Sequence, residues 1–294
     1  MSEAVLQRPR RTRPAPVKHR LQFAVLGLLG VLVMLYPMTA SWFSQLNQSQ
    51  LIDNYSVQVD EISELVRAEA LAEAHTYNQT LQSGAAFDPF TRGLASVDSQ
   101  PYQNYLSILE GVPTGVMARI VIPEINVDLP IYHGTSAEVL DKGVGHLYGT
   151  ALPVGGKDTH SVLTAHSGLA EAVLFTHLDK LNENDIFTIE TYGENFTYQV
   201  RRMDEVLPHE TESLIPEAGR DLLTLVTCTP IGVNSHRLLV TAERIPNIEG
   251  PEQYPLQTEQ PGFPWWAVYI GAAVILAALF VFGPTWWRKP RRSV

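Results

Sequence analysis

The chain has 294 residues and 45% hydrophobic content, which is enough to bury a sizeable core and suits one domain with additions. The formal net charge of −10 hides an uneven distribution, because positions 41–264 carry 30 acidic and 11 basic residues, a balance of −19. A region this acidic would repel phosphates, which excludes nucleic acid as a partner.

The other ten Lys and Arg residues flank two apolar runs near the ends of the chain. The first apolar run is closed by Pro37, and the second is bracketed by tryptophan pairs; both runs, with basic residues outside them, are typical of membrane spans with cytoplasmic tails. A cleaved signal peptide is the alternative for the first run, although no small-residue cleavage site follows it. We therefore expect a protein of the cell membrane, with the lipid bilayer as a partner and both termini cytoplasmic. Its predicted parts are a basic tail 1–20, a transmembrane helix 21–40, a helical region with a lid 41–113, an extracytoplasmic β domain 114–247, a linker 248–264, a transmembrane helix 265–283 and a basic tail 284–294.

The region between the two spans changes character along its length. Apolar residues at steps of three and four predict one helix over 51–81, whereas 85–113 has little periodicity and is expected to be irregular. A short amphipathic helix is predicted between His166 and Ile186. Seven strands at this spacing favour an all-β barrel or sandwich decorated by short helices. The predicted strands are Ala118–Ile122, Val127–Ile131, Ser161–Ala165, Ile186–Thr191, Phe196–Arg202, Leu222–Cys228 and Leu238–Arg244.

Three chemically active residues lie at the ends of these predicted strands. Cys228, the one cysteine of the chain, ends an apolar β run, His166 follows another and Arg237 opens a third. A thiol becomes an effective nucleophile beside a proton acceptor, and a guanidinium can hold a carbonyl or an oxyanion. The pattern predicts nucleophilic attack on a carbonyl. Plainer interpretations stay open: a buried structural cysteine, a structural histidine or a solvated arginine. The single cysteine and the wide histidine spacing argue against a zinc site.

The segment Thr224-Leu225-Val226-Thr227-Cys228-Thr229-Pro230, followed by Arg237, resembles the TLxTC…R signature of sortases, the cysteine transpeptidases of Gram-positive cell surfaces. The segment Thr164-Ala165-His166-Ser167-Gly168 is similar to the catalytic-histidine segment of that family. The resemblance implies an eight-stranded sortase-type β-barrel in which His166, Cys228 and Arg237 converge at one end. It also implies that Thr164 and Thr227, which belong to these segments, contribute to substrate binding.

Two further features resemble the class C, pilus-assembling branch of the family. One is the second apolar run with its basic tail, and the other is Asp88-Pro89-Phe90, which is similar to the lid motif of that branch. The resemblance implies that Asp88 pairs with the catalytic arginine while Phe90 covers the cysteine. Pro89 would fix the turn between them. An ordinary Asp-Pro turn on a loop is the alternative.

The resemblance implies a two-step acyl transfer without a cofactor or metal. The expected substrates are pilin precursors with an LPxTG-like sorting signal, cleaved between Thr and Gly and joined to a lysine amine of the next pilin subunit. An alternative acceptor is a peptidoglycan precursor, which would make the chain an anchoring enzyme for monomeric surface proteins. A membrane-tethered binding module with no catalytic role is the alternative from another class.

Overall fold

The computed structural model describes residues 17–81, 99–247 and 260–283. The chain forms two compact units, one of Met1–Thr39 with Phe263–Val294 and the other of Ala40–Gly262. The two units are described separately below.

The first unit contains two apolar helical segments. Helix α1 (Val17–Glu61) begins in this unit and continues into the second, and helix α5 (Trp265–Phe282) belongs to the first unit alone. By length and composition both helices could cross a membrane. The helix predicted over 21–40 lies within α1, which continues through Pro37, the residue that closes the apolar run. A proline interrupts the hydrogen bonding of only one turn, and the Thr39 hydroxyl donates to the Leu35 carbonyl at 3.0 Å in the same stretch.

Residues 51–81 are helical as predicted, but they form parts of two helices rather than one. Helix α1 ends at Glu61, and helix α2 (Glu64–Thr80) starts afresh after Ser63. Ser63 has extended backbone angles, and its hydroxyl accepts a hydrogen bond from the Val66 amide at 3.4 Å. A serine N-cap therefore separates the two helices where apolar periodicity alone runs on without a break.

Eight strands close into a barrel in the order β1-β2-β3-β4-β7-β8-β6-β5. All seven predicted strands are present, and the closed sheet confirms the barrel and excludes the sandwich. Neighbouring strands are antiparallel except for the pairs β2–β3 and β4–β7, which are parallel. The strands are β1 (Ala118–Ile122), β2 (Val127–His133), β3 (Val144–His146), β4 (Thr159–Thr164), β5 (Ile186–Thr191), β6 (Glu194–Val206), β7 (Asp221–Thr229) and β8 (His236–Arg244).

Short elements between the strands depart most from the sequence-based expectations. The sequence did not predict β3, and a helix α3 (Gln100–Ser107) lies within the stretch predicted to be irregular. A second unpredicted helix, α4 (Ala137–Lys142), begins after the N-cap Ser136. The amphipathic helix predicted between His166 and Ile186 was wrong. Positive φ angles interrupt that stretch at Gly168 (+71°) and Leu174 (+42°). Turns and a 3₁₀ turn, Leu178–Lys180, bury Leu174, Leu178 and Leu181, whereas Leu169 stays exposed.

The two faces of the sheet bury different apolar clusters. The main core includes Leu223 and Leu225 of β7 and Val240 and Ala242 of β8. Residues one position out of phase belong to a second cluster, the outer cluster, formed by Leu147, Val162, Leu214, Val226 and Leu239. Because side chains alternate along a strand, β4, β7 and β8 each contribute one face to the outer cluster.

Acid is expected to destabilise the barrel, because burial lowers the pKa of three histidines: His133 to about 4, His146 to about 3 and His160 to about 4. The unfolded chain has histidine pKa values of about 6.5, so between roughly pH 6.5 and pH 4 it binds protons that the folded chain does not. The stability from each neutral histidine is therefore complete above about pH 6.5 and is lost as the pH falls towards 4. Complete loss of this contribution would lower the free energy of unfolding by about 3 kcal/mol for His133.

Denaturant unfolding of the full chain from about pH 7 down to about pH 4.5 measures this effect. His160→Gln should make the decline shallower, since the ring of His160 is buried against the Thr224 hydroxyl (2.7 Å). His209→Gln, at an exposed position between β6 and β7, should leave the slope unchanged. A wild-type profile that stays flat over this range would contradict the prediction.

Candidate active site

Strand pairing places Cys228 beside Arg237. The two residues are direct partners in the antiparallel ladder of β7 and β8, near the end of each strand. Directly opposite residues of an antiparallel pair have side chains on the same face of the sheet. The register therefore brings the thiol and the guanidinium to one side of the barrel end, although eight residues separate them in the chain.

The parallel pairing of β4 with β7 brings His166 to the same place. Thr164 is the register partner of Val226, and the Ala165 amide continues the ladder by donating to the Val226 carbonyl at 3.2 Å. One step further on, the Ser167 hydroxyl donates to the Cys228 carbonyl at 2.6 Å. The segment that contains His166 is thus tied by hydrogen bonds to the segment that contains Cys228.

The three residues share the face of the outer cluster. Cys228 lies two positions from Val226, Arg237 lies two positions from Leu239, and His166 lies four positions from Val162, so each shares a face with a residue of the outer cluster. The residues of the main core occupy the intervening positions. Cys228 is accordingly half-buried, and the His166 side chain is 29% exposed. The thiol is not sealed in the barrel interior, which is the arrangement that would have excluded acyl transfer. The site lies on the outside of the barrel at one end.

Two features of its environment act on the pKa of His166. Partial burial lowers the pKa of the imidazole, and the Asp141 carboxylate, with Oδ1 3.9 Å from Nε2, acts in the opposite direction. A lowered pKa keeps the ring neutral at neutral pH, so that it can accept a proton. The nearby carboxylate favours the imidazolium that forms when it does so.

Backbone contacts hold the Arg237 guanidinium at the site. Its Nη1 donates to the carbonyls of His236 (3.2 Å) and Asn234 (3.3 Å). The loop that provides Asn234 is itself a tight turn, since the amides of Val233 and Asn234 both donate to the Pro230 carbonyl. An arginine keeps its charge at any physiological pH and presents donors in a planar fork, so this one can bind a carbonyl oxygen or an oxyanion.

Thr164 and Thr227, predicted to bind substrate, are buried between β4 and β7. The Thr164 hydroxyl donates to the Val226 carbonyl at 3.1 Å, and that of Thr227 donates to the Ala165 carbonyl at 2.8 Å. Both therefore join the segment that contains His166 to the segment that contains Cys228, and their contact with substrate stays a prediction. The lid residues Asp88, Pro89 and Phe90 lie outside the described residues.

Sequence reasoning missed two contributors to the site. Ser167 lies in the quoted histidine segment, but its bond to Cys228 depends on strand register. Asp141 lies 25 positions before His166, on a helix that was not predicted; Ser136 as an N-cap ahead of Val139 and Leu140 was the available signal. Within residues 17–81, 99–247 and 260–283, no three His, Cys, Asp or Glu side chains are grouped to hold a metal ion.

The chain is similar in sequence and fold to proteins of one known family. Residues 120–245 match the model of the sortase domain. Among solved structures, the chain is 51% identical to sortase C-1 from Actinomyces oris, covering 62% of this chain and 99% of that one with a TM-score of 0.58. It is 45% identical to a lid mutant of sortase A from Corynebacterium diphtheriae (65% and 98% covered, TM-score 0.59). It is 37% identical to Streptococcus pneumoniae sortase C (68% and 99% covered, TM-score 0.61).

The closed eight-stranded barrel, with a cysteine at the end of β7, places the chain in the architectural class of sortase-type β-barrels. The chain belongs to the sortase family, whose members are cysteine transpeptidases. It spans 60%, 66% and 52% of the lengths of three curated sortases that it matches.

Proposed function

We propose that the chain is a membrane-anchored transpeptidase that cleaves an LPxTG-like sorting signal between Thr and Gly. The observation that carries this proposal is the register of β7 and β8 with β4, which groups Cys228, Arg237 and His166 on one half-exposed face. A thiol, a neutral imidazole and a cation on one face of the barrel end are the groups that acyl transfer requires.

The proposed reaction has two steps. In the first, the Cys228 thiol gives its proton to His166 and its sulfur attacks the threonine carbonyl, while Arg237 stabilises the oxyanion. The C–N bond then breaks, His166 returns the proton to the departing glycine amine, and a thioester remains. In the second, an amine attacks the thioester, passes a proton to His166 and displaces the sulfur, which regains a proton. The chain's own residues thus supply each proton transfer.

The acceptor that we propose is a lysine amine of a pilin subunit, which would yield an isopeptide-linked polymer. The names of the relatives support this choice, since the chain is similar to sortases C of Actinomyces oris and Streptococcus pneumoniae, and the pneumococcal structure bears on pilin substrate specificity. Two spans with cytoplasmic tails would hold the site near membrane-bound substrates and raise their effective concentration.

A competition between two amines tests this acceptor. The purified full chain, in lipid nanodiscs, receives a pilin precursor together with equal amounts of a lysine-bearing pilin domain and a peptidoglycan-type amine. Mass spectrometry of the products should show the pilin isopeptide in excess. A product joined mainly to the peptidoglycan amine would instead make the chain an anchoring enzyme for monomeric surface proteins.

Removing the proposed lid should accelerate modification of Cys228. We propose that Asp88-Pro89-Phe90 covers the thiol, as the C. diphtheriae relative also has a lid that has been mutated. In the wild-type chain a thiol reagent should label Cys228 slowly, and Asp88→Ala or Phe90→Ala should raise the rate by about tenfold, which corresponds to a cover worth about 1.4 kcal/mol.

The labelling rate is read by intact-mass measurement, and Asp98→Ala, in the same stretch of sequence, is the matched control. Equal rates in the wild type and both lid variants would contradict the lid. A thiol that reacts in none of the variants would support the binding-module alternative with a buried structural cysteine.

A further inference from the structure

Helix α4 presents a carboxylate to the catalytic base. The Asp141 Oδ1 lies 3.9 Å from the His166 Nε2, and the Asp141 side chain is 72% exposed. A salt-bridge partner this exposed is ordinarily worth little, because its own side chain moves and water screens the pair. The contact matters only if the backbone beneath Asp141 is fixed.

The structure fixes that backbone at both ends of the helix. At the start, the Ser136 hydroxyl caps the helix by accepting from the Val139 amide, and Leu140 is buried in the middle. At the end, Gly143 packs so closely on β2 that a Cβ there would lie 2.8 Å from the Pro130 carbonyl oxygen. The Gln48 side chain of α1 also donates to the Lys142 carbonyl at 3.4 Å.

The other charges of α4 form a separate pair. Lys142 pairs with Glu138 at 3.4 Å, one helical turn apart, and its ammonium lies 5.0 Å from the centre of the Tyr132 ring. Asp141 is thus directed to His166 from a helix whose lysine is engaged on another side. The ionisable groups at the neighbouring strand ends include Cys228 of β7 and both Arg237 and His236 of β8, and the His236 Nδ1 lies 3.9 Å from the Glu205 carboxylate of β6. Asp88 of the proposed lid lies outside the described residues.

We propose that Asp141 is a positioning residue for His166. Its carboxylate favours the imidazole tautomer with hydrogen on Nε2, which leaves Nδ1 as the atom that takes the proton from the Cys228 thiol. It then stabilises the imidazolium until that proton passes to the departing amine. A carboxylate on the far nitrogen has the same effect in other nucleophile–histidine sites. This inference rests on the acyl transfer proposed above.

The test compares four forms of the full chain in nanodiscs: wild type, Asp141→Asn, Asp141→Glu and the matched control Glu138→Gln, which removes the same charge from the same helix. Acyl-enzyme formation from a sorting-signal peptide is followed against pH. Loss of the carboxylate should lower kcat about fivefold with KM unchanged, which is the scale of an ion pair at a partly exposed site.

The pKa of His166 gives a readout that a merely structural role would not move. NMR of histidine-labelled protein should show it about half a pH unit lower in Asp141→Asn, because the carboxylate favours the charged ring. The acid limb of the rate profile should shift by the same amount. Asp141→Glu should restore both properties, and Glu138→Gln should match the wild type.

Two results would overturn the inference. One is an Asp141→Asn variant equal to Glu138→Gln in both kcat and the His166 pKa, and the other is a loss of kcat without any change in that pKa. A chain that forms no acyl-enzyme at all would contradict the proposed function, while the His166 titration would still decide the role of Asp141.

Discussion

The Cys228→Ala variant is expected to accumulate pilin precursors without covalent polymer, while the protein remains folded and membrane-bound. Removing the sulfur removes the atom that forms the thioester, and the methyl group of alanine cannot act as a nucleophile in its place. The rate of transfer should fall by about 10³-fold or more, as it does when the nucleophile of a covalent mechanism is deleted. Gel separation of pilin species under denaturing conditions measures the loss.

The free energy of unfolding of the Cys228→Ala variant is the control that shows whether it remains folded. Cys228 is half-buried at the rim of the barrel, so truncation to alanine should change the free energy of unfolding by about 1 kcal/mol or less. Arg237→Lys provides a graded comparison, because it keeps the charge but loses the planar fork, and it should retain part of the activity. Undiminished polymer from the Cys228→Ala variant would reject the mechanism.

The Arg119→Met variant is expected to lose about 3–5 kcal/mol of unfolding free energy, because it leaves two buried carboxylates in the barrel wall without their cation. Arg119 is fully buried and pairs bidentately with Asp128, at 2.7 and 2.8 Å, and with Glu190 at 3.3 Å. The side chains of Asp128 and Glu190 are each only 12% exposed, and burial raises the pKa of Glu190 even with the guanidinium present. Without their cation the carboxylates lose the interaction that offsets their desolvation.

Arg220→Met is the matched control in denaturant unfolding. Arg220 also joins two carboxylates, those of Glu217 and Glu243, but its side chain is 34% exposed. Water screens that cluster, so its loss should cost about 1 kcal/mol or less. Replacing Arg119, Asp128 and Glu190 together with apolar residues should recover much of the stability lost by Arg119→Met alone. Equal effects of the two single arginine substitutions would contradict the argument.

The elements predicted best from the sequence are those whose local pattern and tertiary role agree. Strands β1 and β5 begin and end where alternation and β-branched residues predicted, and β7 differs by one residue at each end. The helix predicted after His166 was wrong because the leucines there have helical spacing, whereas Gly168 and Leu174 adopt positive φ angles that no α-helix permits. Burial of Leu174, Phe175 and Leu178 against the barrel decides the backbone there.

The sequence by itself determined the residue types of the site, the apolar ends and the acidic middle of this protein. Cys228, His166 and Arg237 could be identified because each ends or opens a β run, and because the run around the cysteine resembles that of the sortases. Only the tertiary structure decided that Ser167 bonds to the Cys228 carbonyl, that Thr164 and Thr227 tie β4 to β7, and that Asp141 meets His166. The physical reason is that strand register and helix docking join residues distant in sequence, and no local pattern specifies which of them will meet.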